Sequence, residues 1–298
     1  MATTHEKRGG NMSNKWIHSS KVDNIVVRKI IAELQQGTVP WHKKWFGVRY
    51  PVNALTKRPY SGANILLLEP GGEYLTWNQI QKLKGKVRKG AHSYKVIFWK
   101  LVERENTAEE EDGKDKPKQY FILRYYLVFD LNDVTGIETE ITKTEQAIIQ
   151  NTNLGDILNK AKTWVDIKYG NYPVPYFKPS EGIIRVPYLE NFENDNEFCL
   201  TLLHEIMHST GPILKRQMGK KRGDYYYAVE ELTAEIGAAI LAHRLGIETD
   251  IKNTAAYINH WLSAISKNNR MVLSAARQAE RAVNFILEGS EAVCLTSA

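Results

Sequence analysis

The sequence predicts an α+β protein, in which a small mixed N-terminal domain precedes a mostly helical C-terminal one. Three observations carry this. Two runs dense in β-branched and aromatic residues, 93–102 and 120–129, lie in the first half. Helical periodicity dominates the second half, from residue 144 onward. Charge divides the chain in the same way: residues 1–102 hold 18 Lys and Arg against 5 Asp and Glu, and the remainder 22 against 29. A basic first third is thus followed by a mildly acidic remainder.

Taken in order, Val22, Ile25, Val26, Ile30 and Leu34 recur at three- and four-residue steps with Gly37 just beyond, which predicts an amphipathic helix. The stretch from Trp41 to Tyr60 is aromatic, basic and punctuated by Pro40, Pro51 and Pro59, and reads as loop and short strand. Thr76 can cap a short helix to Leu83 that sets Trp77, Ile80 and Leu83 on one face. The strand-like runs 93–102 and 120–129 are expected to pair. The tract between them, 103–118, is charge-dense with almost nothing apolar to bury, and is expected to be a mobile loop. Residues 132–144 lack a period and carry Gly136, which places a boundary between domains at 12–135 and 144–290. Helices are expected at 144–168, 195–209, 226–245, 253–265 and 269–288. The proline-rich segment 170–190 is expected to form a loop and a small strand or hairpin around 183–186.

At 298 residues, 43% hydrophobic and 25% charged, the composition excludes disorder throughout. No stretch approaches the roughly 18 to 20 apolar residues of a membrane span, and the polar start MATTHEKRGG lacks a secretory apolar core. A cytoplasmic protein with no membrane partner is expected. Cys199 and Cys294 are the only cysteines, too few and too far apart for a disulfide framework or a multi-cysteine metal site.

The chemistry centres on HEIMH at 204–208, inside a helical pattern that Asp195 can cap and that Gly211 and Pro212 can end. Four residues is one helical turn, so the imidazoles of His204 and His208 face the same way and can share a cation. Glu205 is then the general base of a metal-assisted peptide hydrolysis. A third ligand is expected from AVEELTAEIGAAILAHRLG, where Glu231 and Glu235 share a face with Ala234, Ala238 and Leu241 while Glu230 is out of phase with Glu235. Two acids on an apolar face need a cation or hydrogen bonds. We take Glu231 as the ligand and Glu235 as the acid that accepts a histidine N–H behind it, the order of thermolysin-like enzymes; the spacing leaves the reverse assignment open. Two histidines and one glutamate make zinc the default, with another divalent ion such as manganese able to occupy the site.

The basic first third interleaves Trp41, Trp45, Tyr60, Trp77 and Trp99 with Lys43, Lys44, Arg58, Lys86, Arg88 and Lys89. Rings that stack on bases and cations that follow phosphates are what a single-stranded nucleic-acid groove needs. The candidate contacts are Trp41, Lys43, Lys44, Trp45, Arg58, Tyr60, Trp77, Lys86, Arg88 and Lys89.

The strings GTVPWHKKW (37–45), NALTKRPYSGANILLL (53–68), KVRKG (86–90), HEIMHSTG (204–211) and YAVEELTAEIGAAIL (227–241) make the chain resemble the plasmid-encoded antirestriction proteins of the ArdC type, over nearly everything from 15 to 290. That resemblance implies an N-terminal single-stranded DNA-binding domain, related to that of some plasmid primases, joined to a zincin-like metallopeptidase domain. It also implies protection of incoming conjugative DNA from host restriction. Two other functions are weighed: a DNA-coating protein whose metal site is structural or vestigial, and a primase or other replication accessory. The peptide substrate is not legible.

Overall fold

The computed structural model describes residues 15–17, 20–42, 50–104, 118–137, 153–219, 221, 223–247, 255–268 and 270–289. It is an α+β protein with eight α-helices among the described residues. The first, α1 (Ser20–Gln35), buries Val26, Ile30 and Leu34 along one stripe and ends at Gly37, whose φ of 79° a side chain would strain. A 3-10 turn at Pro40–His42 then carries Trp41 and His42 into the interior.

The N-terminal sheet is assembled from β1 (Lys15–Ile17), β2 (Val52–Asn53), β3 (Glu73–Thr76), β5 (Ser93–Arg104) and β6 (Lys118–Asp130), in the order β1-β6-β3-β2 with β5 also on β6. The two long strands run antiparallel from Ser93↔Phe129 to Arg104↔Lys118. They pair as expected and reach both ends of the charge-dense tract, whose residues 105–117 lie outside the described residues. Two helices flank the sheet, α2 (Ala63–Leu67) and α3 (Trp77–Lys82). Thr76 caps α3 in a reciprocal box with Gln79, and β4 (Lys86–Val87) pairs with β7 (Val134–Thr135).

In the second half the helix expected at 144–168 is shorter: α4 covers Leu154–Ala161, and residues 144–152 lie outside the described residues. The chain then turns into β8 (Asp166–Gly170), which runs parallel to β10 (Ile183–Pro187) while β9 (Tyr176–Lys178) pairs antiparallel on the other side. Ladder pairing with the Ile183–Pro187 run outweighs the helical pattern there, a tertiary override of local preference. Four long helices follow: α5 (Asp195–Ile213), α6 (Tyr225–Arg244), α7 (Ala255–Lys267) and α8 (Met271–Glu288).

One hydrophobic core runs through both halves, joining Val26, Ile30 and Trp41 to Leu203, Ile236 and Val283. At Gly237 of α6 an added Cβ would sit 1.9 Å from Cε of Met207 on α5, so these helices meet at a glycine. That close approach presents their facing residues to one another across a short gap.

Candidate metal centre and nucleic-acid face

Helix α5 begins one residue earlier than its acidic run suggests: the side chain of Asn194, not Asp195, accepts from the Glu197 N–H at 2.9 Å. His204 and His208 project toward α6, their Nε2 atoms 3.0 Å apart. Glu231 on α6 spans the pair, one carboxylate oxygen 3.8 Å from His204 Nε2 and the other 3.8 Å from His208 Nε2. The ligand atoms of these three residues lie within 4.8 Å of one another. A tetrahedral ion with bonds of about 2.0 to 2.1 Å needs ligand atoms about 3.3 Å apart, so the three donors are close enough together to hold a divalent ion.

The three glutamates of α6 divide their partners by helical phase, since one residue turns the face by about 100°. Glu231 faces the two imidazoles. Glu230, which the sequence reading left aside, is 2% exposed and accepts from His208 Nδ1 at 3.0 Å. It is also bound by Arg216 Nε at 2.8 Å and Nη2 at 2.7 Å. Arg216 reaches from the connection between the helices and donates as well to Thr210 Oγ1 and the Met207 carbonyl, at 2.6 and 2.8 Å. Burial opposes a charge on Glu230, but the bonds from Arg216 and His208 hold its carboxyl below the usual range. An ionised carboxylate only accepts, so His208 carries its proton on Nδ1 and turns the Nε2 lone pair toward the gap. Burial opposes a charge on His208 too, but the bond and charge of Glu230, then the charges of Glu205 and Glu231, raise its pKa above the ordinary histidine value.

Glu235, expected to accept a histidine N–H, does so from a histidine of another part of the chain: His42 Nε2 lies 3.4 Å from its Oε2. Burial works against its ionisation, while His42, the charge of His204 and the Tyr257 hydroxyl outweigh it and lower its pKa. Glu205, beside the first ligand, is 6% exposed. The sequence carries no signal for His42, which meets Glu235 from 193 residues away, or for Arg216, which lies in the irregular connection between α5 and α6; Glu230 is legible as an acid amid apolar neighbours.

Of the proposed nucleic-acid contacts, Trp41 is corrected. It is 2% exposed, edge-on to Trp261 at 5.6 Å with its indole N–H on Tyr257, and offers no ring face to a base. Tyr60 is half-buried against Tyr74. Trp77 is 51% exposed on the first residue of α3, and Arg58, Lys86, Arg88 and Lys89 are exposed. Lys43, Lys44 and Trp45 lie outside the described residues. Among the described residues no helix is long and apolar enough to cross a membrane.

Residues 157–278 match the family model of a zincin-like metallopeptidase, so the helical half is a domain of that class, the class to which a divalent metal belongs. Residues 20–129 match the N-terminal domain of anti-restriction factor ArdC, and the two matches in this order support an ArdC-type protein. Solved structures of the antirestriction ArdC protein from the R388 plasmid agree in fold. The metal-free form is 26% identical with a TM-score of 0.68, covering 90% of this chain and 97% of that one. A Mn(II)-bound form is 27% identical with the same TM-score. DNA primase TraC of Escherichia coli is 28% identical over 288 residues, which is 88% of this chain but only 26% of that protein. The uncharacterized protein y4eC of Sinorhizobium fredii is 28% identical over 280 residues and matched over 90% of its length.

Proposed function

We propose that this chain binds single-stranded DNA through its N-terminal domain and hydrolyses peptide bonds at the His204, His208 and Glu231 centre, protecting incoming plasmid DNA from host restriction in the cytoplasm. The observation that carries the hydrolytic half is the convergence of those three ligand atoms within 4.8 Å beside the buried Glu205. Zinc suits the two imidazoles and one carboxylate, and manganese is the alternative ion. A divalent cation there would acidify a water and polarise a peptide carbonyl.

The remaining steps belong to the chain. His208 is oriented by Glu230, which Arg216 fixes in turn. Glu205 holds the attacking water, takes its proton and passes that proton to the departing amine nitrogen. For the DNA half, exposed Trp77 supplies a stacking face, and Arg58, Lys86, Arg88 and Lys89 supply phosphate contacts.

Glu205→Gln tests the reading. The variant should keep its metal and its DNA affinity, and lose peptide hydrolysis and antirestriction activity in transformed cells together. A second reading draws on the match to a quarter of a protein named DNA primase TraC, in which a similar stretch forms part of a longer chain. There the metal only stabilises a DNA-coating fold, and Glu205→Gln would leave antirestriction intact.

A further inference from the structure

The metal ligands all come from α5 and α6, inside the zincin-like match, yet one of the three α6 glutamates is held from outside it. Glu235 stands one turn beyond Glu231 and is engaged by His42 Nε2 at 3.4 Å and by the Tyr257 hydroxyl. His42 belongs to the 3-10 turn Pro40–His42 of the N-terminal match, and Tyr257 to α7. The two rings stack at 5.6 Å and 20°, and the indole N–H of Trp41 donates to the Tyr257 oxygen at 3.2 Å. His42 is 8% exposed and Trp41 2%. The Glu235 side chain is 21% exposed, and these two donors hold its carboxylate in place on α6, one turn from Glu231.

We infer that His42 is a positioning residue of the metal centre, contributed by the N-terminal domain and acting through Glu235, so that the peptidase half does not contain its whole site. The inference rests on the proposed His204, His208 and Glu231 centre. Buried within packed rings, the Nε2–H of His42 fixes the Glu235 carboxylate. The fixed carboxylate then supports the charge of a cation between the two imidazoles. Groups that orient ligands through one intermediary commonly change metal affinity by about 10- to 100-fold. His42 stands one step further out, so a smaller loss of about three- to tenfold is expected.

The experiment measures Zn2+ and Mn2+ dissociation constants of the full chain by competition with a chromophoric chelator. Folding is checked by circular dichroism, and affinity for a single-stranded oligonucleotide is read in parallel. His42→Ala should weaken both metals about three- to tenfold, and His42→Gln, which retains an N–H donor, should recover most of the loss. Tyr257→Phe should weaken metal likewise. In a Glu235→Gln background, adding His42→Ala should change metal affinity no further, as a double-mutant cycle requires for two residues on one route. Metal affinity of His42→Ala within twofold of the parent, or a loss undiminished in the Glu235→Gln background, overturns the inference. If His42→Ala does not fold, Tyr257→Phe decides: weakened metal binding supports the inference and parental binding overturns it. A parent chain that takes up neither ion refutes the centre itself, a failure distinct from that of His42.

Discussion

Replacing Glu230 by Gln removes one charge from a buried carboxylate that holds His208 on one side and Arg216 on the other, through contacts of 3.0, 2.8 and 2.7 Å. The amide offers one oxygen and one NH2 group where three donors converge, so a donor must face a donor. Two costs follow, and they separate. The first is stability: breaking a buried ion pair by removing one partner costs about 3 to 5 kcal/mol, and the lower end is expected because Arg216 keeps Thr210 and the Met207 carbonyl. The second is metal affinity: loss of the Nδ1 acceptor should weaken binding about 10- to 100-fold, or about 1.4 to 2.8 kcal/mol at 1.4 kcal/mol per decade. Thermal melting in excess chelator reads the first cost alone, and chelator competition on folded protein at low temperature reads the second. With metal added, the midpoint of the variant should rise less than that of the parent, because stabilisation follows RT ln(1 + [L]/Kd). A folded variant that binds metal within twofold of the parent would refute the idea that Glu230 sets the tautomer of His208.

Four further outcomes follow from the geometry. His204→Ala and Glu231→Gln should each abolish stoichiometric metal uptake by elemental analysis, with DNA affinity in mobility shifts matching that of the metal-free parent. Trp41→Ala should cost about 3 to 5 kcal/mol in denaturant unfolding as a core truncation, whereas Trp77→Ala should cost little stability and weaken single-stranded DNA binding by about 1 to 3 kcal/mol. DNA affinity should fall steeply with salt, with Lys86→Ala or Arg88→Ala each lowering the salt slope by about one contact; equal slopes in parent and variants would assign the basic face another role. Glu280 on α8 has its pKa raised by burial, against the Ser61 hydroxyl and the charges of Arg244 and Arg277. A carboxyl raised on folding contributes stability at acid pH, and that contribution is lost as pH rises through its folded pKa. Glu280→Gln should therefore melt higher than the parent at neutral pH and converge with it at acid pH.

Much of this was legible in the sequence, and for a physical reason. Periodicity reports burial, so α1, α5, α6 and α8 could be read from their apolar spacing, and the β5–β6 pair from residues that suit a half-buried ladder. HEIMH could be read because helical geometry alone places two imidazoles together. What failed was whatever depends on distant partners. Nothing local says that Asp166–Gly170 pairs with Ile183–Pro187, or that Arg216 reaches Glu230. Trp41 was misjudged for the same reason: an aromatic flanked by lysines looks like a base platform until Trp261, more than two hundred residues away, is found against it.

The segment GTVPWHKKW shows why the two halves should not be read as independent parts. Its Trp41 and His42 point inward, one into the shared core and the other onto Glu235, and the next residues are the lysines proposed to meet phosphates. Any force that a DNA strand exerts on Lys43 or Lys44 acts one or two residues from a ring that holds Glu235, the acid one turn beyond Glu231. By linkage, a strand that shifts metal affinity must itself bind differently when the metal is present, and by the same factor. Oligonucleotide affinity measured with and without saturating Zn2+ should then differ in the parent, and the difference should shrink in His42→Ala. Identical DNA affinities in the parent, with and without metal, would mean that the shared core carries no such signal.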